Sequence, residues 1–334
     1  MLIVRTVYGD ISMEKRDLFS ATCRRGLLPP QEIRIIYEKY RVRNTCLYAQ
    51  VNGEDLQCVK EGTTLFFERN PFRDKICPGT VTLELEETSG DLFEVRMERK
   101  GCLEIPPKGY VFCKKHFNTY YGQYIRFVFG SGKPNPRNPF FKVPAFLYSV
   151  YYGGEILKVG TTIVFKGLRR MLEQPILLTS LLYIAENIEE AREMEIFISH
   201  SKPFSQAPRT ALRISNVFNA IEKDFQILPR KFACLLNNSL RNLRKTNAPR
   251  GIKKIILNIE RKGIPIQSLA GDVDKLLPKA FPVENLDQAN KVLEGKECLF
   301  SGIAKGFVIL KCSKELYAVP FELFRDRRVE VDIT

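Results

Sequence analysis

The sequence predicts an α+β protein, and three observations predict it. Short β-prone runs separated by turn residues crowd residues 1–117. Strands and amphipathic helices alternate over 140–201, and β-prone runs return after residue 295. The expected organisation is therefore a β-rich N-terminal module (1–117), an α/β unit (140–201), a basic helical segment (202–294) and a small C-terminal antiparallel sheet (295–334). A chain of 334 residues, 44% hydrophobic and 27% charged, has the make-up of a globular protein and is too long for one ordinary core.

In the first module, Cys46–Val51, Thr64–Phe67, Thr80–Leu85 and Leu92–Met97 read as strands, interrupted by a helix around Glu32–Tyr40 that follows Pro29-Pro30. Gly130–Pro139 is dense in turn formers and reads as a linker. Phe146–Tyr152 and Ile156–Val159 form a hairpin about Gly153-Gly154. A helix around Thr162–Gln174, a strand around Leu177–Ala185 and a helix around Ile188–Ser199 follow. Pro203 and Pro208 precede a helical pattern with Leu212, Val217 and Ile221 on its apolar face, and a second pattern runs from Arg230 to Lys245. The tail offers three strands, Cys298–Ile303, Gly306–Cys312 and Leu316–Val319.

No run approaches the roughly 18–20 apolar residues that span a bilayer, so no membrane partner is expected. Met1–Thr6 reads as a strand rather than a signal peptide. Nine cysteines, an odd number, lack the density of a disulfide scaffold, which makes a reducing cytoplasm the expected compartment. A Walker A loop, a dinucleotide glycine pattern and a Ser-His-Asp arrangement are all missing from the sequence.

Charge is the strongest functional signal. Residues 202–262 hold 14 basic and 3 acidic side chains, so +11 of the net +14 lies there. Arg230, Lys231, Arg241, Arg244, Lys245, Arg250, Lys253 and Lys254 are the candidate contacts, with Arg241, Arg244 and Lys245 spaced to project together from one helix. A merely solvated face mixes signs, as the rest of the chain does. Crowded like charge is offset by a polyanion, and RNA or DNA bound through phosphates is the leading expectation. An acidic protein partner is the alternative from the scaffold class. The oligomeric state is left open.

The hairpin adds a resemblance. Phe146-Leu147-Tyr148, then Lys158-Val159-Gly160, then the run Leu168-Arg169-Arg170-Met171-Leu172-Glu173 and the run Glu190–Glu195 resemble the ordered motifs of the GIY-YIG nuclease superfamily. Together with Gly109–Phe117 and Gly302–Ile309, they make the chain look still more like a prokaryotic family known as domain of unknown function 2797. The resemblance implies that Tyr148 positions water, that Arg169 or Arg170 contacts phosphate, and that Glu195 holds Mg or Mn, as in a metal-dependent endonuclease. Two positions depart from the pattern: Lys158 stands where the second Tyr is expected, and Glu173 or Gln174 where a His is common. An ammonium cannot relay a proton as a phenol does, so a nucleic-acid-binding unit that has lost hydrolysis is expected. Glu195 lies on an otherwise apolar helical stripe and needs a partner, either a metal ion or Arg169 or Arg170.

Members of that family place two Cys pairs near residue 113, which implies a zinc knuckle. Only Cys113-x-x-His116 survives as a tight pair here, since Met97 and Lys100 occupy the place of the other. Structural zinc requires four ligands, and Cys102 and Cys77 are the candidate replacements. The competing reading is four buried packing residues. Cys23, Cys46, Cys58, Cys234, Cys298 and Cys312 show no ligand spacing and are expected to be packing thiols.

Overall fold

The chain opens as one long antiparallel hairpin. In the computed structural model, which describes residues 1–25, 28–53, 55–88, 92–167, 169–205, 208–221, 227–244 and 248–333, β1 (Leu2–Arg25) and β2 (Leu28–Val51) pair from Leu2↔Val51 to Arg25↔Leu28. Register shifts after Val4, Tyr8, Met13 and Cys23 let so long a ribbon bend. The helix expected around Glu32–Tyr40 is corrected by this pairing: the segment is the middle of β2. Ile33 and Ile35 are buried at period two, and both edges of the backbone find strand partners. β-Branched residues pack well on a pleated surface, and long-range pairing overrides the local helical pattern.

β3 (Leu56–Lys60) pairs with β2. After β4 (Thr64–Lys75), β5 (Thr80–Thr88) and β6 (Leu92–Lys100) form a separate two-stranded sheet. The short α1 (Lys114–Phe117) leads to α2 (Tyr120–Val128), whose Thr119 cap accepts from the Gly122 N–H. The hairpin of β7 (Ala145–Tyr151) and β8 (Leu157–Ile163) sets Tyr148 opposite Gly160. The helix expected over Thr162–Gln174 is largely replaced. β8 continues through Thr161-Thr162-Ile163, a single 3-10 turn follows, and α3 is only Arg169–Leu172. β-Branched residues extend the strand, and Gly167 breaks the chain direction with φ 18°.

β9 (Leu178–Ala185) and α4 (Ile188–Ser199) follow, with Asn187 capping α4. β10 (Phe204–Ser205) pairs parallel to β8. α5 (Thr210–Ile221), α6 (Ile227–Arg244) and α7 (Arg250–Lys262) make up the basic segment. The chain then returns to the sheet: β11 (Ile264–Gly271) inserts between β9 and β2, parallel to β2. β12 (Phe281–Pro282) and α8 (Leu286–Leu293) precede the antiparallel strands β13 (Glu297–Ala304), β14 (Phe307–Cys312) and β15 (Glu315–Pro320). α9 (Phe321–Phe324) leads to β16 (Arg327–Ile333), which lies between β1 and β4.

The fold is α+β. Its main sheet has 14 strands in the order β10-β8-β7-β9-β11-β2-β1-β16-β4-β13-β14-β15-β12, with β3 also on β2. The β1–β2 ribbon is the spine: one stretch carries β11 and the α/β unit, and its other end carries β16 and, through β4, the C-terminal strands. α4, α6 and α7 pack as neighbours against these strands, and the absence of a side chain at Gly251 admits the Met194 sulfur. Among the described residues, no helix is long and apolar enough to cross a membrane.

The six cysteines expected to be packing thiols are corrected as well. They pair as Cys23–Cys234, Cys46–Cys58 and Cys298–Cys312. The first ties α6 to β1 across 211 residues of sequence, a proximity that only the fold creates. The cysteine count therefore does not support a reducing compartment, since disulfides persist where the surroundings are oxidising and in intracellular proteins of some hyperthermophiles.

Candidate functional site

The three remaining cysteines, Cys77, Cys102 and Cys113, gather with His116. Their candidate ligand atoms all lie within 4.8 Å of one another. Cys77 leaves the end of β4, Cys102 follows β6, and Cys113 caps α1, which carries His116. One helical turn puts Cys113 Sγ 3.3 Å from His116 Nδ1; Cys77 Sγ is 3.5 Å from the same nitrogen, and Cys102 Sγ is 3.9 Å from Cys113 Sγ. A tetrahedral zinc site, with bonds of about 2.3 Å to sulfur and 2.0–2.1 Å to nitrogen, has edges of roughly 3.8 Å (S···S) and 3.6 Å (S···N). The cluster could therefore hold a metal ion such as zinc. The three cysteines are buried and His116 is half-buried. Burial pushes the metal-free Cys113 thiol up to about 12, so loading a cation would release its proton.

Arg5 organises this cluster from behind. Its guanidinium is fully buried and donates to the carbonyls of both Cys77 (2.8 Å) and Cys102, to Asp326 (3.0 Å) and to Gln50 Oε1 (2.8 Å). Two glycines permit the approach. A Cβ on Gly79 would lie 2.0 Å from the Lys100 carbonyl, and one on Gly101 would lie 2.1 Å from the Gln50 oxygen that Arg5 needs. The Glu104 N–H adds a 3.4 Å contact to Cys102 Sγ. Sequence reasoning missed Arg5; an Arg directly after the apolar run Leu2-Ile3-Val4, in the middle of a strand, was the available signal.

On the α/β unit, Tyr148, Lys158 and Arg170 come together. Tyr148 and Arg170 share a cavity of about 240 Å³ with Thr162 and Gln174. The Tyr148 ring lies over Gly160, where a Cβ would come within 2.9 Å of it. Lys158 Nζ donates to Gln174 Oε1 at 2.6 Å. Burial, reinforced by Arg170 and Arg213, pushes Lys158 down to about 7 against the pull of Glu195 and Glu322. The amine is thus partly neutral at neutral pH and could accept a proton, which an unperturbed lysine could not. Arg170 pairs with Glu173 at 2.6 Å. Burial alone would raise the Glu173 carboxyl, but Arg170, Arg325, Lys166 and the Thr6 hydroxyl outweigh it and hold it at about 2. The Arg169 side chain lies outside the described residues.

Glu195 is placed elsewhere. It accepts from Thr161 at 2.8 Å and pairs with Arg192 at 2.8 Å. Thr161 follows Gly160 by one residue, and alternation along a strand turns their side chains to opposite faces. Glu195 thus lies across β8 from Tyr148 and Lys158. The ion pair expected with Arg169 or Arg170 is corrected to Arg192, one helical turn back on α4, where i and i+3 face the same way.

The basic segment is sorted by its partners. Arg213 is buried against Glu322, so it faces the core rather than a ligand; Leu212, expected inside, is 41% exposed instead. Lys231 reaches Glu155, and Arg230 lies over the Phe19 ring. Arg241 and Arg244 both converge on Glu260 of α7, which partly neutralises the expected cluster; its third member, Lys245, lies outside the described residues. Arg250, Lys253 and Lys254 are exposed on the first turns of α7, opposite the buried Ile252, Ile255 and Ile256. Arg261 and Lys262 at its far end complement the helix dipole. Comparison with family models, with curated proteins and with solved structures finds no match for this chain.

Proposed function

We propose that the chain binds structured RNA or DNA through phosphate contacts on α7 and the adjoining end of α6, with a zinc-stapled N-terminal lobe. The observation that carries this reading is the start of α7. Arg250, Lys253 and Lys254 crowd the positive end of a 13-residue helix whose first turn holds no acid. Cations there oppose the helix dipole, and the leading N–H groups of Arg250 and Gly251 add to the same positive field. Among the described residues, none of the three has a carboxylate within ion-pair reach; Lys254 has only the Tyr183 hydroxyl at 3.5 Å. A phosphate backbone resolves that conflict.

Binding to duplex or hairpin probes should weaken steeply with salt. Replacing Arg250, Lys253 and Lys254 together by Ala should lower the log–log salt slope by roughly two to three units, about 0.9 for each phosphate that is no longer neutralised. The pair Arg241→Ala/Arg244→Ala should change it less, because Glu260 already holds both guanidiniums. An unchanged slope in the triple variant, or tight binding to acidic protein with none to nucleic acid, rejects this reading.

A second reading, a metal-dependent endonuclease of the GIY-YIG type, is favoured by the convergence of Tyr148, Lys158 and Arg170 and by the lowered Lys158. The placement of Glu195 across β8 speaks against it. Cleavage of labelled RNA or DNA with Mg or Mn, abolished by Glu195→Gln while binding persists, would establish the enzyme.

A further inference from the structure

A larger cavity, about 890 Å³, lies beside the Tyr148 site, where β1, β2, β6, α2 and α3 meet. Its wall carries Arg99, Lys100, Lys166 and Arg170 against Asp55, Glu98 and Glu173, with Lys100 paired to Glu98. Arg170 is neutralised by Glu173, which also faces Arg325 at 3.6 Å. Arg99 and Lys166 line the same cavity with no carboxylate in ion-pair reach among the described residues. Arg99 donates one N–H to the Arg5 carbonyl at 2.9 Å, and its Nε is buried without a partner. The Lys166 ammonium sits 5.3 Å from the centre of the Tyr121 ring. Both cations act on the Tyr121 hydroxyl: burial would raise its pKa, yet Lys166 and Arg99 lower it. Two cations and a phenol thus surround one region of a concave space. Arg99 spends one guanidinium N–H on the Arg5 carbonyl and keeps others with which an anion in the cavity can pair.

The rest of the wall identifies the ligand class. Tyr8, Tyr48 and Phe165 offer aromatic surface on the same cavity. The volume falls within the range of about 300–1,000 Å³ typical of small-molecule sites, well beyond what a bare oxyanion needs. We propose that this cavity binds a phosphate monoester carried on a planar heterocycle, a nucleoside monophosphate, with Arg99, Lys166 and the Tyr121 hydroxyl on the phosphate and the tyrosines against the base. The site uses none of the cations of α6 and α7, so it stands or falls apart from nucleic-acid binding there.

The test is calorimetric titration of the full chain with adenosine monophosphate, adenosine and inorganic phosphate. The monophosphate should bind at least about tenfold more tightly than either part, since charge-assisted hydrogen bonds to the phosphate are stronger than those between neutral groups. Lys166→Gln should weaken the monophosphate by roughly tenfold or more and leave adenosine unchanged. Arg99→Gln should do the same, and if that variant fails to fold, Lys166→Gln decides. The Arg250/Lys253/Lys254 triple variant should bind the monophosphate like the wild type. No heat with the monophosphate, equal affinity for adenosine, or full affinity in folded Lys166→Gln would each overturn the proposal.

Discussion

Protein purified without chelators is expected to carry about one zinc ion per chain, and Cys113→Ser or His116→Ala should each release it. The expected effect is large because four ligands arrive from three separate segments: the ends of β4 and β6, and α1. Zinc-finger peptides owe about 10–16 kcal/mol to their metal. Here residues 77–117 share one buried cluster with the main sheet, and most of that cluster does not touch the metal ligands, so the loss should be smaller than in a zinc finger. A loss of several kcal/mol lowers the thermal midpoint by on the order of 10 °C. Elemental analysis and a melting curve with and without chelator read both effects. A metal-free chain, with Cys113→Ser as stable as the wild type, would return the four residues to ordinary packing.

Arg5→Met should cost about 3–5 kcal/mol, the usual penalty for breaking a buried ion pair by removing one partner. Methionine keeps most of the volume, so the loss reads hydrogen bonding rather than a cavity. Arg5 is fully buried and Asp326 only partly exposed, so water can compensate little of what is left behind. Burial lowers the Arg5 pKa and Asp326 opposes that shift, which keeps the charge in place. The same variant frees the Cys77 and Cys102 carbonyls, and zinc content should fall with stability. Asp326→Asn should cost less, because the amide oxygen still accepts from Arg5. Urea unfolding and zinc content measured on both variants separate the two effects. An Arg5→Met protein with wild-type midpoint and full zinc would show that the cluster does not depend on this guanidinium.

Motifs carried by adjacent residues were legible in the sequence. The β7–β8 hairpin, α4 and the three C-terminal strands fall close to their expected positions, because a run of a few residues sets each pattern. The candidate metal ligands were also legible, from the local spacing Cys113-x-x-His116 together with the family resemblance that implies a zinc knuckle there. The segment 32–40 failed for the opposite reason. Its strand state depends on pairing with Met13–Thr22 and with Ile264–Leu269, which no local window contains.

The sequence by itself determined the fold class, the excess of positive charge in 202–262 and the identity of the four residues that could hold a metal. The fold class and the charge follow from composition and period, and the ligand set from one short spacing together with what the family resemblance implies; none of these requires knowing how distant segments meet. Only the tertiary structure decided which cations are spent on partners. Arg213 is turned into the core against Glu322, Arg241 and Arg244 are held by Glu260, and Arg250, Lys253 and Lys254 are left facing solvent. It also decided that Glu195 answers to Arg192 across the sheet from Tyr148, and that Cys23 meets Cys234. The physical reason is the same in each case. An ion pair or a disulfide acts over a few ångströms, and residues far apart in the chain come within that distance only in the folded arrangement around the β1–β2 ribbon.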